Sequence, residues 1–376
     1  MMKTIALRIP RPLSVAIISV LLGLLAGAVF MLATGSNPIE GYAYLFQGGL
    51  MNIERIGNTL ATATPLVLTG LSVAFAFSTG LFNIGASGQL LAGGLSATAV
   101  GLTVVLPKPL LLLIMLLAAI AGGALWGLVP GLLKALFNVH EVVATIMMNW
   151  LAYWVVYYTV PAYFKGSFLE TESRKIPDIA SLRVPRITEL FDGSYLNLGI
   201  FIAVISVLVL WVILQKTILG YELKAAGYNR FAAEYAGMKV NRNIVLSMTI
   251  AGALAGIGGL TLYTGYAVNI QIGVLPNQGF DGIAVALLGA SAPLGVLFSA
   301  MFLGILHSGK GFMNAMTEIP PEIGDTIIAT IIYFAATSVL IERFLDRAGK
   351  ALAIRRVENA AMRSAALENP DAKEND

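Results

Sequence analysis

Side-chain amides and hydroxyls are the groups in this sequence best suited to hold a neutral solute, because they form hydrogen bonds without carrying charge. Asn83, Ser87 and Gln89 lie within ten residues that also contain three glycines. Thr145 and Asn149 are four residues apart, which places them on one face of a helix. These residues predict hydrogen bonds between helices or contacts along a path for a polar solute, and both interpretations stay open.

A second set of candidate contact residues lies further along the chain. Tyr263, Tyr266, Asn269 and Gln278 offer flat ring faces, hydroxyls and amides, which suit a neutral ligand with several hydrogen-bonding groups. Asp281 is the acid nearest to an apolar run. We expect its carboxylate to cap the start of a helix, and it can also face the solute path.

Other kinds of site are excluded by residue type. The sequence has no Cys, and its two histidines, His140 and His307, are far apart, so we expect no metal site. It has no Gly-rich loop of the kind that binds ATP phosphates, so we expect no cofactor on this chain. No paired carboxylates or Ser/His/Asp set stands out, and a membrane enzyme therefore ranks last among the candidate functions.

Composition places these residues in a membrane protein. Of the 376 residues, 57% are hydrophobic and 12% are charged, and the mean hydropathy is +0.80. A soluble chain of this length cannot bury so much apolar surface. We predict an all-α polytopic membrane protein with about ten transmembrane helices, some short or broken, from the stretches that lack Asp, Glu, Lys and Arg. Those stretches are 12–39, 56–107 (two helices, roughly 58–78 and 85–105), 109–133, 142–164, 193–215, 243–280, 282–309 and 326–341.

Charges near the two ends predict that both termini are cytoplasmic. The first eleven residues carry three basic and no acidic side chains, and residues 342–356 carry five basic and two acidic ones. Two ends on one side require an even number of spans, hence ten rather than nine. The stretch 282–309 is therefore predicted to form two short helices, about 282–291 and 294–307, broken at Ala292–Pro293.

The same pattern of charges divides the rest of the chain. We predict a transmembrane permease domain over 1–356, with an external loop at about 163–195 and a cytoplasmic coupling loop at about 217–242. Residues 308–325 are net negative and are predicted to form another external loop. Residues 357–376 are predicted to form a polar cytoplasmic tail.

The cytoplasmic loop contains a candidate docking helix. Alanine-rich spacing around Arg230–Ala236 favours a short helix, which Asn229 can cap and Gly237 can end. Phe231 and Tyr235 are four residues apart and share one face. A cytoplasmic helix has no lipid to cover such a face, so a groove on another protein is its natural partner. The charged side chains that would orient the docking are Arg230, Glu234 and Lys239.

Four segments of the sequence resemble a known family. They are GLFNIGASGQLLAGG, NVHEVVATIMMNWLAYW, AAGYNRFAAEYAGMKVNRNIVLSMTIAGALAGIGGL and GFDGIAVALLG. They resemble permease subunits of ABC importers in the nucleoside and simple-sugar group, within the wider branched-chain amino acid and ribose permease family. The resemblance covers about residues 58–345, and the chain departs from the commoner pattern at Ser87, where many members carry an acid.

The resemblance implies a ten-helix fold in a bacterial cytoplasmic membrane and a set of partners. These are a cytoplasmic ABC ATPase that binds ATP and Mg, a second related permease and an extracytoplasmic substrate-binding lipoprotein. The segment 217–242 would contain the coupling helix that docks into the ATPase. No nucleic-acid partner is expected, and membrane lipid surrounds the chain.

The resemblance implies that the substrate is a nucleoside and that it is moved by alternating access. A simple sugar such as ribose needs much the same hydrogen-bonding groups, so these residues leave the two open. A self-sufficient channel or an ion-coupled carrier is the alternative from another class. Carriers of that kind generally use buried ionisable groups, and this chain has one acid at a span edge.

We predict that a reporter fused after Arg356 behaves as a cytoplasmic protein, because the basic side chains after the last span stay on that side. A reporter enzyme that is active only outside the cytoplasm gives the measurement, and it should stay inactive. Activity outside the cytoplasm would return the number of spans to nine.

Overall fold

A computed structural model gives the structure of the chain for residues 11–166, 169–337 and 341. These residues form fourteen α-helices and one π-helical turn, with two isolated β-bridges and no strand, so the prediction of an all-α chain is confirmed for them. The helices are α1 (Arg11–Ala33), α2 (Pro38–Leu50), α3 (Ile53–Ser78), α4 (Ala86–Thr103), α5 (Lys108–Phe137), α6 (Glu141–Tyr163), α7 (Pro185–Leu190), α8 (Gly199–Lys216), α9 (Ile218–Tyr228), α10 (Arg230–Tyr235), α11 (Val240–Thr261), α12 (Asn277–Leu288), α13 (Pro293–Thr317) and α14 (Pro321–Ala336). The π-helical turn, Leu262–Tyr266, continues α11.

Seven of these helices are long and apolar enough to cross a membrane: α1, α3, α5, α6, α8, α11 with its π-helical turn, and α13. Three further predicted spans correspond to α4, α12 and α14, which have 18, 12 and 16 described residues. The count of ten spans therefore stays a prediction. Except for Arg11, the basic residues of both ends lie outside the described residues, as does the polar tail 357–376. That both termini are cytoplasmic therefore stays a prediction.

Burial separates the central helices from those that face outwards. In the most apolar window of each helix, 83% of the α3 residues and 72% of the α11 residues are buried, against 22% in α5 and 28% in α8. The exposed residues of α1, α5, α6 and α8 include many Leu, Ile, Val and Trp side chains. Such an apolar outer surface suits lipid contact.

Glycines let three central helices approach to backbone contact. On α5, Gly123 and Gly127 face Gly252 and Gly256 of α11, and a Cβ atom added to Gly252 would overlap the carbonyl oxygen of Gly123. The α4 helix joins them through Gly93, where an added Cβ would overlap the backbone of Gly256. Small residues four apart are a common means of close packing between helices in lipid. The α4, α5 and α11 helices therefore form one closely packed group.

Two expectations about helix boundaries were wrong at the start of the chain and after α11. The stretch 12–39 holds α1 and the beginning of a separate helix, α2, whose Gly48 and Gly49 pack against α13. Only 13 residues long, α2 is too short for the length rule to detect. The helix within the stretch 243–280 also ends early, because residues 267–276 leave helical geometry before α12 begins.

The break at Ala292–Pro293 is confirmed, but the second helix is not short. The α13 helix runs for 25 residues to Thr317, so the predicted external loop at 308–325 reduces to a three-residue connection, 318–320. Lys310 stays inside α13 because its Nζ atom lies 2.6 Å from Oδ1 of Asp325 on α14. A charged residue that is paired can remain within a predicted span, whereas the sequence rule treated every charged residue as the end of one.

We predict that Gly252→Ala lowers the thermal unfolding midpoint of the purified protein in detergent. The added methyl group meets the backbone of α5, which cannot move aside as a flexible side chain can. Overpacking of this kind costs about 1–3 kcal/mol of unfolding free energy. The matched control is Gly311→Ala on α13, where an added Cβ meets no atom within 4 Å. An equal midpoint for the two variants would contradict the packing described for α5 and α11.

Candidate functional site

The break between α3 and α4 lies inside the bundle and is held by side-chain amides. The Asn83 Nδ2 group donates to Gln89 Oε1 at 2.9 Å, and the backbone N–H of Gly85 donates to Asn83 Oδ1 at 3.0 Å. Ser72 on α3 lies 3.4 Å from the same Nδ2 atom. Asn83 and Gln89 are both buried, so these bonds replace the water that the non-helical backbone would otherwise need. We refer to residues 79–85 as the α3–α4 break.

Asn149 connects α6 to this break. Its Oδ1 atom accepts from the backbone N–H of Gly88 at 2.8 Å, and its Nδ2 group donates to the carbonyl of Ile84 at 3.0 Å. Thr145 is buried on the same face, as its spacing predicts, but its hydroxyl donates only within α6, to the carbonyl of Glu141 at 2.8 Å. Asn149 thus acts in this structure as a bond between helices.

The first turn of α12 is attached to the same region. Ser87 Oγ donates to the carbonyl of Pro276 at 2.9 Å, and Thr69 Oγ1 on α3 donates to the carbonyl of Gln278 at 2.8 Å. A Cβ added to Gly279 would overlap Ser87, and one added to Gly282 would lie 2.8 Å from Thr69. The α12 helix therefore packs directly on α3 and on the start of α4.

Asp281 does not cap a helix, which corrects the expectation from the sequence. The α12 helix begins at Asn277, four residues earlier, and this places Asp281 in the second turn. Its Oδ2 atom lies 3.2 Å from Nε2 of His307 on α13. Both side chains are largely buried but keep some exposure, 16% for Asp281 and 18% for His307.

A cavity of about 480 Å³ opens beside this pair. That volume is in the range of small-molecule sites. Its walls come from α3, the π-helical turn, α12, α13 and α14. The polar and aromatic lining residues are Thr62, Tyr266, Asn277, Gln278, Phe280, Asp281, His307, Lys310 and Asp325.

A second cavity, of about 380 Å³, shares three residues with the first: Tyr266, Asn277 and Gln278. Tyr263 and Asn269 line only this one. The candidate residues thus fall into two sets. Tyr263, Tyr266, Asn269, Gln278 and Asp281 line the cavities, while Asn83, Ser87, Gln89 and Asn149 form the buried network beneath them. That the residues of this buried network line the solute path stays a prediction. It would require a conformation in which they are exposed to the path.

Three functional candidates were missed from the sequence: His307, Lys310 and Arg183. His307 and Lys310 are three residues apart and therefore share a face of α13, a signal hidden because Lys310 was assigned to a loop. Arg183 comes from the long connection between α6 and α8, where no spacing rule points to a partner. Its contacts are formed with residues about 80 positions later in the chain.

Arg183 holds the turn that carries Tyr266. Its Nε group donates to the carbonyl of Gly265 at 2.7 Å and its Nη2 group to the carbonyl of Tyr266 at 2.6 Å. The guanidinium also lies over the ring of Tyr195, at 4.7 Å from its centroid. Burial lowers the pKa of Arg183 from its ordinary value, but an arginine remains charged at neutral pH. The long connection therefore positions an aromatic side chain that both cavities share.

The candidate docking helix has the predicted structure. The α10 helix runs from Arg230 to Tyr235; Asn229 Oδ1 accepts from the N–H of Ala232 at 3.0 Å, and Gly237 ends the turn with a φ of 83°. Phe231 and Tyr235 are 81% and 97% exposed. Arg230 is directed differently, because its Nη2 group donates to Asn241 at 3.0 Å. The role of Asn229, Arg230, Phe231, Glu234, Tyr235 and Gly237 in docking stays a prediction.

The segment before α10 touches the α3–α4 break. Gly80 has a φ of 73°, which glycine adopts readily, and a Cβ added there would lie 3.2 Å from the backbone of Gly227 on α9. Thr79 also donates to Ser247 on α11 at 2.8 Å. A movement of α9 would therefore press on the break directly.

The docking helix and the two cavities lie at opposite ends of the bundle. A smaller cavity of about 260 Å³ is lined by Gly80, Glu141, Arg230 and Val240, so α6 and α11 begin beside α10. The helical segment that starts at Val240 is 27 residues long and ends at Tyr266, which is about 40 Å away at 1.5 Å per residue.

These features define a class of protein: a multi-pass membrane protein with a polar, partly aromatic cavity at one end and an exposed docking helix at the other. Residues 55–336 match the family model described as branched-chain amino acid transport system / permease component. The chain belongs to this family of transport permeases.

The chain is also similar to individual transport permeases. The chain is 42% identical over 339 residues to the guanosine ABC transporter permease protein NupP of Bacillus subtilis, covering 90% of this chain and 97% of NupP. It is 40% identical over 344 residues to the nucleoside ABC transporter permease protein NupB of Lactococcus lactis, covering 90% and 94%. The glucose ABC transporter permease protein TsgB13 of Haloferax volcanii is 31% identical over 336 residues, covering 87% and 88%. No solved structure matches the chain.

We predict that Asn149→Leu destabilises the protein strongly. Leucine has a similar size but leaves the Gly88 N–H and the Ile84 carbonyl without a partner. A buried unpaired group costs about 1–3 kcal/mol, so we expect a clear fall in the thermal unfolding midpoint.

The matched control is Thr145→Val in the same helix. Its hydroxyl bonds only to a carbonyl of its own helix, so the loss should cost far less. Similar midpoints for Asn149→Leu and Thr145→Val would contradict the structural role assigned to Asn149.

Proposed function

We propose that the chain is a permease subunit of an ATP-driven importer that moves a nucleoside across the bacterial cytoplasmic membrane. The observation that carries this proposal is the cavity between Tyr266 and Asp281. It combines ring faces, amides and a carboxylate at a concave site about the size of a small ligand. A flat base suits the rings, and a hydroxylated ribose suits the amides. The similarity to permeases named for guanosine and nucleosides supports the same substrate class.

Alternating access is the mechanism that this arrangement supports. The cavities open at the end of the bundle that carries the long connection, which is predicted to be external. In the proposed cycle the ATPase binds α10, and its closure on ATP pushes α9 and α10 against Gly80. The α3–α4 break transmits this movement to α12 through Ser87 and Thr69. Rearrangement of α12 then opens the cavity towards the cytoplasm.

The partners proposed for this chain are those that its similarity to importer permeases implies. The sequence has no ATP-binding loop, so ATP and Mg belong to a separate ABC ATPase. A second related permease completes the path, and an extracytoplasmic lipoprotein delivers the nucleoside to the long connection. Arg183 lies where such a delivery protein could act on Tyr266.

A simple sugar is the second candidate substrate, and the similarity to a glucose permease favours it. Sugars and ribose share the hydroxyls that Asn277 and Gln278 would bind. Only a nucleoside, however, also presents a flat base to the rings of Tyr266 and Phe280.

Uptake by the assembled transporter in proteoliposomes tests the proposal. The chain is reconstituted with its ATPase, its second permease and its binding protein, and labelled guanosine, uridine, ribose and glucose are compared. We expect nucleoside uptake that requires ATP hydrolysis, with little uptake of either sugar. Sugar uptake without nucleoside uptake would show that the substrate is a sugar and not a nucleoside. Saturable uptake by the chain alone, without ATP, would overturn the importer in favour of a carrier.

We predict that replacing both Phe231 and Tyr235 by Asp abolishes ATP-driven uptake without preventing membrane insertion. Two charges on the exposed face of α10 cannot enter an apolar groove without a large desolvation cost. The measurement is ATPase retention during purification, together with ATP hydrolysis and uptake in proteoliposomes.

Tyr163→Asp provides the control. Tyr163 is 75% exposed at the far end of α6, away from α10. That variant should retain the ATPase. Normal ATPase retention and full uptake by the double Asp variant would refute the assignment of α10 as the coupling helix.

A further inference from the structure

The Asp281 carboxylate has unused hydrogen-bonding capacity at the cavity. Among the residues that the structure describes, only His307 comes within ion-pair distance, with its Nε2 atom 3.2 Å from one oxygen but without a hydrogen bond to it. The neighbouring acid in the cavity wall, Asp325, is paired with Lys310 at 2.6 Å. Lys310 therefore neutralises Asp325, and Asp281 remains the carboxylate in this wall that no lysine or arginine neutralises.

The backbone that carries Asp281 is held by close contacts. Gly279 and Gly282 hold α12 against α4 and α3, and the Thr69 hydroxyl is bonded to the carbonyl of Gln278. His307 approaches the carboxylate from α13. A carboxylate held in this way can select between ligands, because a group that cannot move cannot adapt to the wrong hydrogen-bonding pattern.

The chemistry of a carboxylate defines what it would select. An ionised carboxylate only accepts hydrogen bonds, and its two oxygens can accept from two parallel N–H groups. Guanine presents such a pair, the N1–H and the 2-amino group, on one edge. Hypoxanthine has the N1–H without the amino group, and xanthine has an oxygen in the amino position, which would face the carboxylate unfavourably. The rings of Tyr266 and Phe280, 37% and 39% exposed, can cover the flat faces of the base.

Resting on the proposed transport of nucleosides, we infer that Asp281 recognises the base and favours nucleosides with two adjacent N–H donors, the guanosine type. Nucleosides that place an acceptor on that edge are disfavoured. This selection by the permease is separate from any selection by the binding protein.

Asp281→Asn tests this assignment because asparagine offers one acceptor and one donor in nearly the same shape. Uptake of guanosine, inosine and xanthosine is measured one at a time in proteoliposomes with the complete transporter. Each nucleoside is supplied at a concentration that saturates the binding protein, so that differences in maximal rate belong to the permease. We expect the guanosine to xanthosine rate ratio to fall by about tenfold or more, since the Asn amide can donate to the xanthine oxygen.

Asp325→Asn on the same wall is the control for a general loss of charge. It should leave the guanosine to xanthosine ratio as in the unaltered protein, whatever it does to the absolute rates. If Asp281→Asn keeps the original ratio, or slows all three nucleosides equally, the assignment of Asp281 is overturned while the proposed function stands. If the unaltered transporter moves no nucleoside at all, the proposed function itself fails.

A test on the substrate side needs no variant and covers the case in which Asp281→Asn does not insert. 1-Methylguanosine lacks the N1–H and should enter the unaltered transporter at least about tenfold more slowly than guanosine. Equal maximal rates for the two nucleosides, at concentrations that saturate the binding protein, would overturn the inference.

Discussion

Backbone groups that leave helical geometry inside a bilayer have no water to bind, so the α3–α4 break depends on side-chain amides. Asn83, Gln89 and Asn149 supply the missing hydrogen bonds while adding no charge. The break in turn allows α4 to begin where Ser87 can reach the end of the 267–276 segment and hold the start of α12. The cavity wall is therefore built on a buried polar network that does not itself line the cavity.

Close glycine contacts limit the movement of the surrounding helices relative to one another. The α4, α5 and α11 helices touch through backbone atoms, and α12 touches α3 and α4 in the same manner. Helices in such contact have little freedom to slide, so in the proposed cycle a push delivered at Gly80 would be transmitted to the neighbouring helices. The π-helical turn at the end of α11 is the irregular part of this group, and Arg183 fixes it from outside. The proposed coupling and the proposed substrate contact would thus use one continuous set of packed elements.

Local features of the fold could be predicted well from the sequence. The structure contains the predicted α10 helix, with Asn229 as its cap and Gly237 at its end. These features depend only on interactions between residues that are close in sequence. The α3–α4 break was also predicted, because the charge-free run 56–107 is too long for one helix and was divided into two, roughly 58–78 and 85–105.

Features that depend on contacts between distant residues could not be predicted in this way. Lys310 was predicted to lie beyond the end of a span, since nothing nearby in sequence indicates that Asp325 would neutralise it. The partnership of Asp281 with His307, 26 residues later, follows from the packing of α12 against α13, and the expectation of a cap was wrong. The α2 helix was missed because 13 residues fall below the length that a span requires.

We propose that a nucleoside passes through the cavity between Tyr266 and Asp281. The most direct measurement is an electron cryomicroscopy structure of the assembled transporter, trapped with a nucleoside during turnover. We expect density for a nucleoside in this cavity, with the base beside Asp281 and between the rings of Tyr266 and Phe280. Nucleoside density elsewhere in the chain, with this cavity empty or closed in every state of the cycle, would contradict it.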